Sequence, residues 1–193
     1  MVTRFNFQGV SWGSSRDPGV LLVHGYMDSA ATFIPLVRLL PREHYYVAID
    51  MPGHGSSDPF PVGPVVSHAH QLEAARRVVE HLGWTSFIFV SHSVGFIIGV
   101  LYNVVYPGRV TRMVHLDPVP PLTAYCYHHY HLTVWFAFTH EEYYENQWDL
   151  QRNKTFCYED AVNSVMRKRK VNREQAEVLL SRGLVNAGEA MYR

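Results

Sequence analysis

Over the first 117 residues, short unbroken apolar runs alternate with longer segments whose apolar residues recur at helical spacing. GVLLVHG from Gly19 is a short, continuously apolar run, and YYVAID from Tyr45, Thr85 to Val90 and Val110 to Leu116 read as further strands of the same kind. That pattern predicts strands buried on both faces, because no solvated face imposes an alternation. Phe5 to Trp12 predicts a further strand, running into the turn-rich stretch that ends at Gly19.

The intervening segments predict helices. In SAATFIPLVRLL, residues 29 to 40, the apolar positions follow a helical period that Pro41 closes. Ser67 is placed to cap a helix running to His81, with Leu72, Ala75, Val78, Val79 and Leu82 on one face and Gly83 as its stop. Val94 to Tyr106 predicts a third helix, ended by Pro107-Gly108. Alternation of this kind predicts an α/β fold with a mostly parallel sheet flanked by helices.

After Asp117 the texture changes. PVPPLTAYCYHHYHLTVWFAFTHEEYYENQW is aromatic-rich and non-alternating, and from Glu159 onward the chain is charged and helical, with no further buried strand. The expected division is a core over 1–117 and a helical region over 118–193. One stretch imitates a membrane span: FIFVSHSVGFIIGVLYNVVY, from Phe87 to Tyr106, is uncharged and long enough to cross a bilayer. Ser91, His92, Ser93 and Gly95 interrupt it, so the preferred reading is a buried strand that turns into a buried helix.

Composition narrows the function classes. Seventeen basic residues balance seventeen acidic ones, so no long-range field favours nucleic acid or an anionic membrane. The densest basic run, Arg167-Lys168-Arg169-Lys170, reads as a solvated helix face. Cys126 and Cys157 are too few for a disulfide framework and lack metal-site spacing. The opening MVTRFNFQGVSW has no apolar secretory core, so Asn153-Lys154-Thr155 reads as a chance sequon. These features together favour a reducing, intracellular, cytoplasmic setting.

Open parallel sheets hold their ligands at the carboxyl ends of their strands. Three of those ends carry unusual residues: His24-Gly25-Tyr26, then Asp50-Met51-Pro52-Gly53-His54-Gly55-Ser56, then Ser91-His92-Ser93-Val94-Gly95. HG, D-x-P-G-H-G-x-S and x-H-S-x-G at successive strand ends resemble the α/β-hydrolase fold. Within it the resemblance is to the animal serine hydrolase-like family, carried by HGYMDSAATFIPLVRLLP and by the late EQAEVLLSRGLVNAGEAMYR. The second of these resembles that family's helical cap.

The resemblance implies a nucleophile elbow with Ser93 at its tip, lifted above the sheet between small neighbours. Ser91 stands where the G-x-S-x-G pattern has its first glycine. A serine nucleophile implies acyl transfer on an ester, thioester or amide through an acyl-enzyme, without cofactor or metal. The amides of Val94 and Tyr26 are the candidate oxyanion donors. His24, Gly25, Asp50, Gly53, His54, Gly55, Ser91, His92 and Gly95 are carried over as structural motif residues, His54 and His92 for packing and not proton transfer. Asp117 ends the fourth strand where some members keep the triad acid; the competing reading is an Asp-Pro turn.

In this fold the triad runs Ser, then Asp or Glu, then His, with the histidine after the last strand. The chain ends at Arg193, before the last strands of the resembled family would begin. The expectation is therefore a C-terminally truncated form lacking the catalytic histidine, with Val110 to Leu116 left as an exposed edge open to self-association. His128, His129, His131 and His140 are the remaining candidates for a base, and H-H-x-H lacks further ligands at metal spacing. Tyr125, Tyr127, Tyr130, Trp135 and Phe136 suggest a small-molecule substrate with an apolar acyl portion, although such aromatics more often pack. The alternative function is a hydrolase scaffold kept as a catalytically inactive binding module. The resemblance also allows a peroxisomal or vesicular location.

Overall fold

The computed structural model describes residues 6–60, 68–118, 155–184, 186–188 and 191–192. The chain separates into two compact units, Met1–Val119 and Pro120–Arg193. In the first unit, β1 (Gly9–Trp12), β2 (Gly19–Val23), β3 (Tyr45–Ile49), β4 (Phe87–His92) and β5 (Val110–Leu116) form a sheet in the order β1-β3-β2-β4-β5. β1 runs antiparallel to β3, and the remaining pairs are parallel.

The period of two along a strand sorts the apolar side chains onto two faces. Leu21, Val23, Val47, Ile49, Phe87 and Phe89 point to one face. There they meet Leu72, Ala75 and Val79 of α2 (His68–His81) and Ile98 and Tyr102 of α3 (Gly95–Val105). Val20, Leu22, Tyr46, Ala48 and Val90 point the other way, against Ala30 and Phe33 of a 3-10 turn (Ala30–Phe33) and Val37 of α1 (Ile34–Val37). All five residues of β2 are buried, which explains its unbroken apolar run.

The expected helix over 29–40 is instead two short pieces. Ser29 caps the first, its side chain accepting from Ala31 N–H, and Pro35 falls in the first turn of the second. Proline lacks the N–H that would splice the two into one helix. The helix ending at His81 forms, with Gly83 at φ +68° as its stop; its expected cap, Ser67, lies outside the described residues.

The reading of Val110 to Leu116 as a buried strand is corrected. Among the described residues β5 pairs with β4 alone, and Val114 and Leu116 are exposed. Phe87 to Tyr106 is β4 turning into α3, and no helix of the described residues is long and apolar enough to cross a membrane.

In the second unit α4 (Tyr158–Arg169) and α5 (Arg173–Leu180) are joined by Lys170 in left-handed backbone. Glu159 and Asp160 open α4, and the exposed Arg167, Lys168 and Arg169 close it, each sign at the helix end whose dipole it complements. Asn172 and Gln175 form a reciprocal capping box on α5. Three short strands go beyond the sequence expectation: β6 (Phe156–Cys157), β7 (Asn186–Gly188) and β8 (Met191–Tyr192) form an antiparallel sheet in the order β6-β8-β7. Strands of two or three residues carry too little periodicity to be read from sequence. Cys126, Asn153, the H-H-x-H cluster with His140, and the aromatic residues Tyr125, Tyr127, Tyr130, Trp135 and Phe136 lie outside the described residues.

Leu21 is fully buried in β2, so Leu21→Ala is expected to cost about 2–5 kcal/mol in urea unfolding. Leu39→Ala, at an exposed side chain, is expected to stay within about 0.5 kcal/mol of the wild type.

Candidate active site

β2 lies between β3 and β4. The chain leaves β2 toward the 3-10 turn and α1 on one face, and leaves β4 into α3 on the other. The two departures open a crevice at the carboxyl ends of β2 and β4, the place where open parallel sheets bind ligands. His24, Gly25 and Tyr26 stand on one side of it, and Ser91 to Gly95 on the other.

Ser93 sits at φ +50°, a left-handed conformation that a side-chain-bearing residue adopts at a cost of about 1–3 kcal/mol. Its neighbours determine that geometry. Ser93 N–H donates to Leu116 C=O at 3.0 Å, and Ser93 C=O accepts from Phe96 N–H at 3.1 Å. A Cβ on Gly95 would lie 2.6 Å from Val23 O and 3.0 Å from His24 O. One on Gly25 would lie 2.9 Å from His92 Nδ1 and 3.1 Å from Ser93 Cβ. Only glycine at both positions lets β2 and the elbow approach so closely. Val94 precedes the first residue of α3, where helical amides lack intrahelical acceptors and the dipole is positive.

The motif histidines brace the loops. His24 is buried; its Nδ1 donates to Gly25 C=O at 2.7 Å and its Nε2 accepts from Met51 N–H at 3.0 Å. That pair of bonds fixes a neutral tautomer and ties the loop after β2 to the loop after β3. Burial, reinforced by the neighbouring His54, lowers the His24 pKa to about 4. His54 Nδ1 donates to Pro52 C=O at 3.0 Å, and desolvation lowers its pKa too, against the pull of that bond and of Asp50. The two rings are 5.1 Å apart.

Asp50, fully buried, accepts from Ala30 N–H at 2.7 Å and from Ser56 N–H at 3.0 Å. It thereby joins the start of the 3-10 turn to the Gly53–Gly55 loop, where both glycines take left-handed backbone. Tyr26 and Met27 are exposed, Met27 at φ +55°. His92 keeps Nδ1 buried without a hydrogen-bond partner among the described residues.

Asp117 follows the residue whose carbonyl anchors Ser93, is exposed and takes φ +46°. Among the described residues no side chain hydrogen-bonds to Ser93 Oγ or to the Asp117 carboxylate. One residue of the site, His115, belongs to none of the sequence motifs. Its Nδ1 lies 2.6 Å from Ser91 Oγ, because β4 and β5 pair Ser91 with His115. A polar residue inside the Val110–Leu116 run is its only signal in the sequence, and the strand register gives that signal meaning.

The family model described as alpha/beta hydrolase fold matches residues 18–190. A serine hydrolase-like protein of Danio rerio is 40% identical over 110 residues, covering 57% of this chain and 34% of that protein. A serine hydrolase-like protein of Homo sapiens is 37% identical over 107 residues, covering 55% of this chain and 53% of its own length. The matched region thus spans about a third to a half of these curated relatives. A crystal structure of a hypothetical protein from Pseudomonas aeruginosa PAO1, 26% identical, superposes with a TM-score of 0.79 over 100% of this chain and 67% of that one. A thioesterase domain from the curacin biosynthetic pathway, 16% identical, shares the fold with a TM-score of 0.67, over 98% and 72% of the two chains.

The His24 imidazole is expected to remain neutral until the pH approaches 4, read by NMR titration of its ring nitrogens. The unfolded chain takes up this proton near pH 6.5. The lowered folded value therefore makes the unfolded state bind more protons between pH 6.5 and 4, and stability falls across that window by about 3 kcal/mol from this group. His54, His68 and His115, also lowered by desolvation, act in the same direction.

Proposed function

The chain belongs to the α/β hydrolase fold family, and on that basis we propose that it acts as a serine hydrolase on a carbonyl substrate with Ser93 as the nucleophile. The observation that carries this reading is the backbone of Ser93. It is a non-glycine residue in left-handed conformation, on the turn from a buried strand into a helix, at the crevice of the sheet. In a nucleophile elbow that strained turn is what lifts the serine hydroxyl above the sheet.

The proposed reaction is acyl transfer. Ser93 Oγ adds to the carbonyl carbon and its proton passes to a general base. In this fold that base is a histidine after the last strand, and none of the described side chains supplies it by a hydrogen bond to Ser93 Oγ. The resulting oxyanion is held by Val94 N–H, with Tyr26 N–H as the proposed second donor. Collapse expels the alcohol, thiol or amine, which takes up a proton, and leaves an acyl-enzyme that water then cleaves. Asp117 is the proposed acid. It lies next to Leu116, whose carbonyl already binds the elbow. The His24 and His54 rings, engaged with backbone and held neutral, serve as braces of the crevice walls. An apolar acyl portion is the proposed substrate class.

Self-association through β5 is proposed alongside. This strand pairs on one side among the described residues, and Val114 and Leu116 expose 47% and 38% of their surface. Unpaired, apolar edges recruit other strands.

Two outcomes are expected. A fluorophosphonate probe labels the folded chain on Ser93, seen as a mass increase on the peptide containing it, and Ser93→Ala abolishes the adduct. Absence of labelling in a chain shown to be folded by circular dichroism would instead favour a binding module. In sedimentation equilibrium, the weight-average mass is expected to rise with concentration and Val114→Lys to suppress that rise; a monomer at all concentrations would overturn the edge proposal.

A further inference from the structure

The first position of the elbow motif, usually glycine, is Ser91, and the fold must accommodate its hydroxyl. Ser91 is fully buried. A buried hydroxyl without a partner would cost about 1–3 kcal/mol. Its partner is His115 Nδ1 at 2.6 Å, reached across the β4–β5 pairing, with the donor set by the ring tautomer.

The half-buried imidazole also packs against α3. The Phe96 ring, in the first turn of α3, meets it edge-on at 4.8 Å between centroids. A Cβ on Gly99, one turn further, would lie 3.3 Å from its Cε1. A Cβ on Gly95 would lie 3.2 Å from Ser91 Cβ. His115 therefore touches the strand that enters the elbow and the helix that leaves it.

The next residue completes the arrangement. Leu116 C=O accepts the amide of Ser93. Two successive residues of β5 thus grip the elbow: His115 holds Ser91 by its side chain, and Leu116 holds Ser93 by its backbone. A shift of the β5 end transmits to both sides of the strained residue.

We infer that His115 is a positioning residue of the elbow, which through its hydrogen bond to Ser91 keeps Ser93 in its left-handed conformation. The catalytic consequence rests on the reading of Ser93 as the nucleophile; the positioning itself does not. A serine at position 91 makes the elbow dependent on β5, and a glycine there has no hydroxyl to anchor.

The test is made on the full chain with three side chains at 115. His115→Phe keeps a ring against Phe96 but removes the nitrogen. His115→Asn carries an amide at the place of Nδ1. In His115→Phe, hydrogen exchange at the Ser93 amide is expected to quicken at least about tenfold relative to amides of α2, and phosphonate labelling to slow by about ten- to a hundredfold. His115→Asn is expected to restore most of both. In a Ser91→Gly background, His115→Phe is expected to have little further effect on either readout.

Unchanged exchange in folded His115→Phe, or an equal effect of His115→Phe with and without Ser91→Gly, would overturn the inference. If His115→Phe does not fold, Ser91→Ala breaks the same bond from the other side and carries the same expectations. The expected exchange pattern with no labelling of any variant would leave His115 as the positioning residue and refute the nucleophile reading.

Discussion

Backbone approaches backbone at the end of β2 more closely than any side chain would allow, and the first unit is arranged around that contact. Gly95 begins its helix against the carbonyls of Val23 and His24, and Gly25 lies against His92 and Ser93. Either contact would be too short with a Cβ. Because both are met, the helix after β4 starts directly over the central strand, and the turn between them must be sharp. The left-handed Ser93 is the consequence. Strain at one residue persists because several independent contacts over-determine it.

The loops around the crevice follow the same logic with polar groups. An isolated buried carboxylate is costly, and Asp50 is tolerated because backbone amides from two segments surround it. His24 is kept neutral by its surroundings and uses one ring nitrogen as donor and the other as acceptor, so a single side chain joins two strand ends. Ser91 and His115 do this on the far side of the elbow. Each of these polar residues in the wall of the crevice fixes the position of backbone. The side chain of Ser93, by contrast, has no hydrogen bond among the described residues.

Apolar packing supplies the rigidity beneath. Strands buried on both faces divide their side chains between two layers of helix, so movement of any strand end would disturb both layers. The two edge strands, β1 and β5, are covered on fewer sides, and β5 is the one whose end contacts the elbow.

The alternation of strand and helix was legible along the chain, because a strand buried on both faces must be apolar throughout and a covering helix must be apolar on one side. The motif residues at three strand ends were legible too, since glycine, histidine and aspartate are conspicuous where apolar runs stop. Other features were not: that residues 29–40 form two short pieces, and that two- and three-residue strands form from Phe156 onward. Those outcomes depend on which neighbours each segment meets. Ser91 and His115 illustrate the difference. They stand 24 residues apart, inconspicuous in either segment, and a hydrogen bond joins them only because parallel pairing sets β4 and β5 in that register. Register is a property of two strands together, so it comes into being only when the chain has folded.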